Sequence, residues 1–294
     1  MTEATLHLID ASIYVFRAYY SMPPNFFDTK GNLVHALYGY TGFLLDLRQK
    51  NVALASVAFD ESLTTCYRND IYPDYKANRE LPDENLKYQL LQCQRITELL
   101  GFHSLCLKAF EADDIIGTLA RKFGEDRDIV IVTRDKDLGQ LLRANDTLWD
   151  FANNDYMGPA EIVQKFGVGP EQIADFLALA GDSVDNIPGA PGIGAKTAAQ
   201  LIQQFGSLDA LLENPAAILQ SGIRGAKRLA QIVEDNTEQL RLYRRITGIH
   251  CDVPMTVGLD DLQPGVINQA AVSDFCEEMQ FKGRLKSRLL GADK

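Results

Sequence analysis

The sequence predicts an α/β fold with a mostly parallel central sheet flanked by helices, followed by a helical region. Three observations lead there. Short apolar, β-branched runs alternate with stretches of helical spacing through the first half, as in strands joined by helical crossovers. An acidic residue stands just after one run after another. Beyond about Gly158 the strand signal fades and short helical patterns take over.

Thr5 to Ile9 reads as the first strand and ends on Asp10. Leu33 to Leu47 has helical spacing, and Ala53 to Phe59 is a second strand ending on Asp60. Ser104 to Lys108 reads as a third, after which Glu111, Asp113 and Asp114 open the helical stretch Ile115 to Phe123. Asp128 to Thr133 is a β-branched fourth strand, followed by Asp135 and Asp137, and Thr147 to Phe151 is a fifth. Between Glu61 and Gly101 lies more than a simple crossover. An aromatic and basic stretch from Tyr67 to Arg79 precedes a helix start at Leu81 to Glu84 and a helix from about Asn85 to Leu100, which suggests a lid or clamp. Pro170 to Ala180 is a further helix. Gly181 to Thr197 is a Gly/Pro-rich connection into a helix from Ala198 to Phe205, with others around Leu208 to Leu212 and Gly225 to Arg245. The tail beyond about Asp252 is sparse in signals, and no internal repeat or low-complexity segment stands out.

With 294 residues, 46% of them apolar, the chain can fill a sizeable core. The five cysteines are scattered without a Cys-x-x-Cys pair, which argues against a zinc site or a disulfide framework. The start of the chain lacks the basic segment and apolar stretch of a signal peptide, and no apolar run approaches the roughly 20 residues that span a bilayer. A soluble, cytoplasmic monomer without membrane partners is expected. The net charge of −11 is unusual for a phosphate-binding protein. Setting aside the nine carboxylates considered next, acids and bases nearly balance, and bound cations would neutralise much of such a cluster.

Those nine are Asp10, Asp60, Glu111, Asp113, Asp114, Asp135, Asp137, Asp182 and Asp185. In open α/β sheets ligands bind beyond the carboxyl ends of the strands, where most of these acids stand. Hard cations such as Mg²⁺ prefer oxygen ligands, and a pair of them about 4 Å apart can activate a water and stabilise the leaving oxygen of a phosphodiester. Any one of these acids also fits a turn former or helix cap; their convergence on one sheet edge is what points to metal-assisted phosphodiester hydrolysis. Two further constellations stand beside them. The loop Gly189 to Thr197, with Gly192, Gly194, Lys196 and Thr197, has glycines that admit a phosphate to successive amides at a helix start; it fits a plain turn between helices equally well. In the aromatic and basic stretch, Arg68, Lys76 and Arg79 could grip the scissile phosphate and Tyr72 or Tyr75 could stack on an unpaired base. The same stretch also fits a surface segment whose tyrosines cover the core.

Leu8 to Ser12, Tyr14 to Tyr19, Val57 to Asp60, Asp74 to Arg79, Glu111 to Ala120, Asp135 to Asp137, Gly181 to Ile187 and Pro191 to Lys196 resemble, in order and spacing, the flap endonuclease and 5′-3′ exonuclease family, in particular the 5′-nuclease domain of bacterial DNA polymerase I. The resemblance implies a PIN-like catalytic domain over residues 1–165 with a helical arch at about 66–100, a helix-three-turn-helix DNA-binding domain over 166–255, and a tail over 256–294. It implies two Mg²⁺ sites in which Mn²⁺ substitutes. Asp10, Asp60, Glu111 and Asp113 would serve the first, and Asp135, Asp137 and Asp182 the second, with Asp113 shared and Asp114 and Asp185 acting through water. Lys76 and Arg79 would help bind and activate the scissile phosphate, and K⁺ could bind carbonyls of the hairpin. DNA with 5′ flaps, 5′ overhangs or nicks is the implied partner, at the nucleoid. No polymerase region follows, which suggests a free-standing nuclease or a piece of a longer chain. Arg134 departs from the family's small residue before Asp135 without removing a ligand.

Two other readings compete, and a third is set aside. A non-catalytic module for branched DNA would bind flaps without turnover. A PIN-type ribonuclease shares an acidic sheet edge but needs no hairpin domain. An Asp-x-Asp phosphatase would carry that motif on its first strand, where this chain has Asp10-Ala11-Ser12.

Overall fold

The computed structural model describes residues 4–61 and 66–291; the ends of the expected domains at 1–3 and 292–294 lie outside them. In chain order the elements are β1 (Leu6–Asp10), α1 (Ala11–Ser21), α2 (His35–Arg48), β2 (Leu54–Phe59), α3 (Tyr67–Ile71), α4 (Glu84–Leu99), β3 (His103–Cys106), α5 (Ala112–Phe123) and β4 (Ile129–Val132). Then come β5 (Thr147–Asp150), β6 (Asp155–Met157), α6 (Pro159–Phe166), α7 (Ile173–Ala180), α8 (Ala195–Phe205), α9 (Leu208–Glu213), α10 (Ala226–Asp235), α11 (Thr237–Thr247), α12 (Gln269–Glu278) and α13 (Gly283–Leu289). They divide into two units: Met1–Leu63, Leu81–Arg134 and Cys251–Lys294 form the first, and Thr64–Glu80 with Asp135–His250 the second.

In the first unit the strands run in the order β3-β2-β1-β4, all parallel, with Leu6 opposite both Leu54 and Ile129. Parallel strands covered on both faces read as continuous apolar runs instead of alternating ones, and every residue of β2 is buried. The chain leaves β1 towards β2 and later returns to β4 on the other side, which makes β1 a topological switch point. Helix α5 is amphipathic, with Asp113 and Asp114 in its first turn and Arg121 and Lys122 in its last, matching the helix dipole at both ends. Asp83 caps α4 by accepting from the Leu86 amide at 2.7 Å. One face of α4 (Leu86, Gln89, Cys93, Ile96) is buried and packs on α2. Of the stretch expected to form an arch, residues 84–99 are therefore a packed helix of this unit, whereas 66–80 belong to the other.

The tail is better ordered than its sparse signals suggested. α12 buries Val272, Phe275 and Cys276 and packs on α4, with Arg95 Nη1 2.6 Å from Glu278 Oε2. α13 packs on α2, with Arg288 Nη2 2.5 Å from Asp46 Oδ1.

The second unit is mostly helical. β5 and β6 form an antiparallel hairpin with Trp149 opposite Tyr156. Helix α7 is buried along nearly its whole length and is packed by α8 and α11, with Leu201, Ile202, Leu240, Tyr243 and Ile246 in the core. The buried Asp175 on α7 accepts from the Leu208 amide at 2.8 Å and pairs with Arg244. The strand expected over 147–151 is β5; the short β6 was not anticipated. Among the described residues no helix is long and apolar enough to cross a membrane.

Candidate active site

Because the four strands of the first unit are parallel, their carboxyl ends lie on one edge, and the segments leaving them carry the acids. Asp10 ends β1, Asp60 follows β2, and Glu111 is the N-cap of α5 after β3. Asp10, Glu111 and Asp114 are buried and Asp60 half-buried. Two hydroxyl residues that the sequence did not single out orient these carboxylates. Thr133, directly after β4, donates through Oγ1 to Asp10 Oδ2 at 3.0 Å, and Ser12, in the first turn of α1, donates to Asp60 Oδ2 at 2.6 Å. The Ala112 amide at the start of α5 donates to Asp60 Oδ1 at 2.8 Å. Fixing the orientation of a carboxylate ligand is the common task of such partners. Asp114 is fully buried, and its carboxylate accepts from the Glu111 amide at 3.1 Å, which closes a capping box. Asp113 lies half-exposed in the same turn.

The second unit holds the other four acids. Asp182 and Ile187 exchange both backbone hydrogen bonds at 2.7 Å, which pinches the intervening residues into a tight loop, and Asp182 Oδ1 accepts from the Val184 amide at 2.8 Å. Asn186 reaches the left-handed region at φ 58° to complete it. On that loop Asp185 is a hub. Its Oδ1 is 2.6 Å from Arg79 Nη2 and 3.9 Å from Lys76 Nζ, its Oδ2 accepts from the Tyr75 hydroxyl at 3.1 Å, and its carbonyl accepts from the Lys76 amide at 3.1 Å. Lys76 also holds a left-handed φ of 54°, uncommon without a glycine. Asn78 Nδ2 to the Ser183 carbonyl and Asn186 Nδ2 to the Asp74 carbonyl tie the two loops together at 2.9 and 2.7 Å.

The Asp137 amide donates to Asp135 Oδ1 at 2.9 Å, which folds these two acids onto one turn. Burial pushes the Asp137 carboxyl up to about 8, aided by repulsion from Asp135, Asp182 and Asp185 and opposed by Lys76. Asp135 and Asp182 are raised for the same first reason, burial, with Asp185 repelling both. A set of buried, mutually repelling carboxylates is a site short of positive charge. No group of three or more His, Cys, Asp or Glu side chains among the described residues is arranged to hold a metal ion. That geometry does not fit a closed zinc site. The all-carboxylate donor set suits a hard cation that keeps several waters between itself and the acids.

Two residues expected to contact substrate have other occupations. Arg68 is 2% exposed, its guanidinium donating to the carbonyls of Ile246 at 2.9 Å and Gly248 at 3.1 Å. Buried carbonyls at the end of α11 need a donor, and Arg68 supplies it instead of gripping a phosphate. Tyr75 is 4% exposed and positions Asp185, so it offers no face for a base. Tyr72 is half-buried, edge-on to Tyr243, and donates to the Asn186 carbonyl at 3.4 Å. In the glycine loop, Gly192 and Gly194 are exposed, Lys196 is exposed, and Thr197 sits half-exposed in the first turn of α8.

Residues 5–167 match the family model of the 5′-3′ exonuclease N-terminal resolvase-like domain, and residues 168–270 that of the 5′-3′ exonuclease C-terminal SAM fold. The chain is similar to DNA polymerase I of Pseudomonas aeruginosa, with 39% identity over 98% of this chain and 32% of that protein. It therefore spans about a third of that relative's length. A 5′-3′ exonuclease of Aquifex aeolicus is 31% identical over 96% of this chain and 94% of its own length. Among solved structures, T5 5′-exonuclease with bound zinc superposes with a TM-score of 0.69 at 17% identity, covering 98% of this chain and 97% of that one. Matched by models from residue 5 to 270 and by a relative of nearly equal length, the chain belongs to the 5′-3′ exonuclease family.

Proposed function

We propose that this chain is a structure-specific 5′-nuclease that hydrolyses DNA phosphodiesters at 5′ flaps, overhangs and nicks, with two Mg²⁺ ions that Mn²⁺ can replace. The observation that carries the reading is the crowding of Asp135, Asp137, Asp182 and Asp185, whose burial and mutual repulsion raise the Asp137 carboxyl to about 8. Such a cluster is stable at neutral pH when a cation sits among the acids. Asp10, Asp60, Glu111 and Asp113 would serve one ion and Asp135, Asp137 and Asp182 the other, in part through bound water, with Asp113 shared and Asp114 and Asp185 acting through water. Divalent ions there supply an activated water and charge against the phosphodiester oxygens.

The rest falls to the chain's own residues. Thr133 and Ser12 hold Asp10 and Asp60 in one orientation. Lys76 and Arg79, held ready by Asp185, turn to a phosphate oxygen when the scissile group arrives. The glycine hairpin with Gly192, Gly194, Lys196 and Thr197 contacts the duplex backbone without reading bases, and K⁺ held by its carbonyls is part of the same proposal. An arch within about 66–100 as a passage for the 5′ strand, and the division into 1–165, 166–255 and 256–294, belong to this reading as well.

The test is cleavage of a 5′-flap DNA with Mg²⁺, comparing the parent with Asp135→Asn/Asp137→Asn. Equal cutting by both would sink the second metal site. Flap binding in EDTA without turnover in Mg²⁺ or Mn²⁺ would mean a non-catalytic module, and preference for RNA a ribonuclease.

A further inference from the structure

Two segments that carry charged groups of the second unit are tied to the same short stretch of backbone. Asp135 and Asp137 stand on a turn that leads into the short 3₁₀ helix Asp137–Leu141, which also carries Gln140. The Gln140 side chain donates through Nε2 to the carbonyls of Asp137 and Thr247, both at 3.1 Å, and accepts through Oε1 from the Ile249 amide at 3.0 Å. Arg68 stands on α3, ahead of Lys76 and Arg79 on the same segment, and donates to the carbonyls of Ile246 and Gly248. Ile246 to Ile249 thus offer four successive backbone groups, taken alternately by Arg68 and Gln140. The last carbonyls of a helix have no partner within it, and at the end of α11 two side chains from different segments supply the donors.

That end of α11 is itself fixed. Thr247 Oγ1 donates to the Ala174 carbonyl of α7 at 2.8 Å, and Arg244 pairs with the buried Asp175. The main chain of Asp137 is pinned on both sides, its amide by Asp135 Oδ1 at 2.9 Å and its carbonyl by Gln140. Asp135 and Asp137 repel each other, which pushes the turn open. Rotating the turn away from its neighbours breaks the Gln140 bonds, so the side chain opposes that repulsion by anchoring the turn to a helix end that does not move with it.

We propose that Gln140 is a positioning residue for the second cation: it locks the turn carrying Asp135 and Asp137 to the end of α11, so that these carboxylates are preset for a divalent ion. The ion's part in cleavage rests on the nuclease reading; the lock rests on the hydrogen bonds alone.

The experiment uses the full chain. Gln140→Met keeps the length of the side chain and removes all three bonds. Gln140→Asn, one methylene shorter, keeps the polarity but cannot span from Asp137 to Ile249. Ser207 caps α9 by accepting from the Ala210 amide at 3.2 Å, so Ser207→Ala lowers the stability of the same unit through a helix cap and controls for general loosening. Mn²⁺ binding to the DNA-free protein, measured by calorimetry below the melting transition, should weaken about tenfold or more in both Gln140 variants, the scale for losing a group that orients a metal ligand. It should stay at the parent's value in Ser207→Ala. In single-turnover cleavage of a 5′-flap DNA, the midpoint of the Mg²⁺ dependence should move to about tenfold higher concentration, with the parent's rate regained at saturating Mg²⁺.

The parent's Mn²⁺ affinity in the folded Gln140 variants, an equal loss in Ser207→Ala, or a slow rate that added Mg²⁺ does not restore overturns the lock. If the parent binds Mn²⁺ but does not cut, the nuclease reading fails while the calorimetry still decides Gln140. If the parent cuts and the Gln140 variants keep its metal dependence, only the lock fails. A parent that binds no divalent cation overturns both.

Discussion

Arg79 Nη2 lies 2.6 Å from Asp185 Oδ1, and the same oxygen stands 3.9 Å from Lys76 Nζ. One carboxylate thus holds two cations, while its second oxygen takes the Tyr75 hydroxyl at 3.1 Å. The pair is only part-buried, so its own contribution to stability is small, and its value lies in keeping two positive groups together. A phosphate presents the same acceptor geometry with more charge and would compete with Asp185 for both. Lys76→Ala and Arg79→Ala should each slow single-turnover cleavage of a 5′ flap by about 10²- to 10³-fold, the scale for removing one charge-stabilising donor. Duplex affinity should change little. Single-turnover rates at saturating protein check this; losses confined to affinity would assign both residues to binding alone.

The acids of the second unit set a pH dependence. Without a bound cation the Asp137 carboxyl is pushed up to about 8 by burial and then by its acidic neighbours, whereas an unfolded aspartate titrates near about 3.9. The folded protein therefore retains a proton there that the unfolded chain has lost. Stability from this group is complete below about pH 4 and is lost as pH rises through about 8. Asp135 and Asp182, also raised, act in the same direction. In chelator, the melting temperature should fall between pH 5.5 and 8.5, and Asp137→Asn should flatten that fall. A divalent cation displaces the proton, so its affinity should rise with pH and its binding should release protons, readable by calorimetry in buffers of different ionisation enthalpy. Proton-neutral binding across that range would contradict the assignment.

Arg68 belongs to folding. It is buried, its donors satisfy the carbonyls of Ile246 and Gly248, and its guanidinium lies 4.7 Å from the Tyr67 ring centroid. Arg68→Ala would leave those carbonyls unpaired and a cavity beside them, at a cost of about 2–4 kcal/mol. Urea unfolding measures it. Below the melting transition the variant should bind flap DNA as the parent does, and a specific loss of affinity at unchanged stability would restore the phosphate-gripping role.

What was legible in the sequence follows from range. Asp10 and Asp60 were readable because a parallel strand buried on both faces shows as an apolar run, and its end marks the sheet edge; Glu111, beyond the half-buried β3, was readable from the helix it caps. The partners Ser12 and Thr133 were not singled out, because a hydroxyl beside a strand end has no pattern of its own until the strands are in register. Arg68 was misread because a basic residue among tyrosines looks the same whether its charge meets a phosphate or the carbonyls of Ile246 and Gly248, almost 180 residues away. The spacing of Val272, Phe275, Cys276 and Met279 on one face of the α12 region was readable, but it sits in a short, largely polar segment.

The glycine hairpin separates fold from binding at two glycines. Gly189 has φ 71°, and a Cβ there would run into the Gly181 nitrogen and meet the Ala180 carbonyl carbon at 2.7 Å. Both are backbone atoms that cannot rotate away, so Gly189→Ala combines left-handed strain with a clash and should cost about 3 kcal/mol or more. Gly194 is different. It caps α8 at φ −93° with open space around the Cβ position, so Gly194→Ala meets no clash and should cost only about 1 kcal/mol, the difference between a glycine and an alanine N-cap. That open space is where a phosphate would approach the first amides of α8. Gly194→Ala should therefore melt only slightly below the parent, far above Gly189→Ala, and yet bind duplex DNA about tenfold more weakly at temperatures where it is folded, the equivalent of one hydrogen bond to a charged group. Paired melting and salt-matched binding measurements decide it: unchanged affinity of the folded variant would leave Gly189 to Thr197 a turn between helices and nothing more.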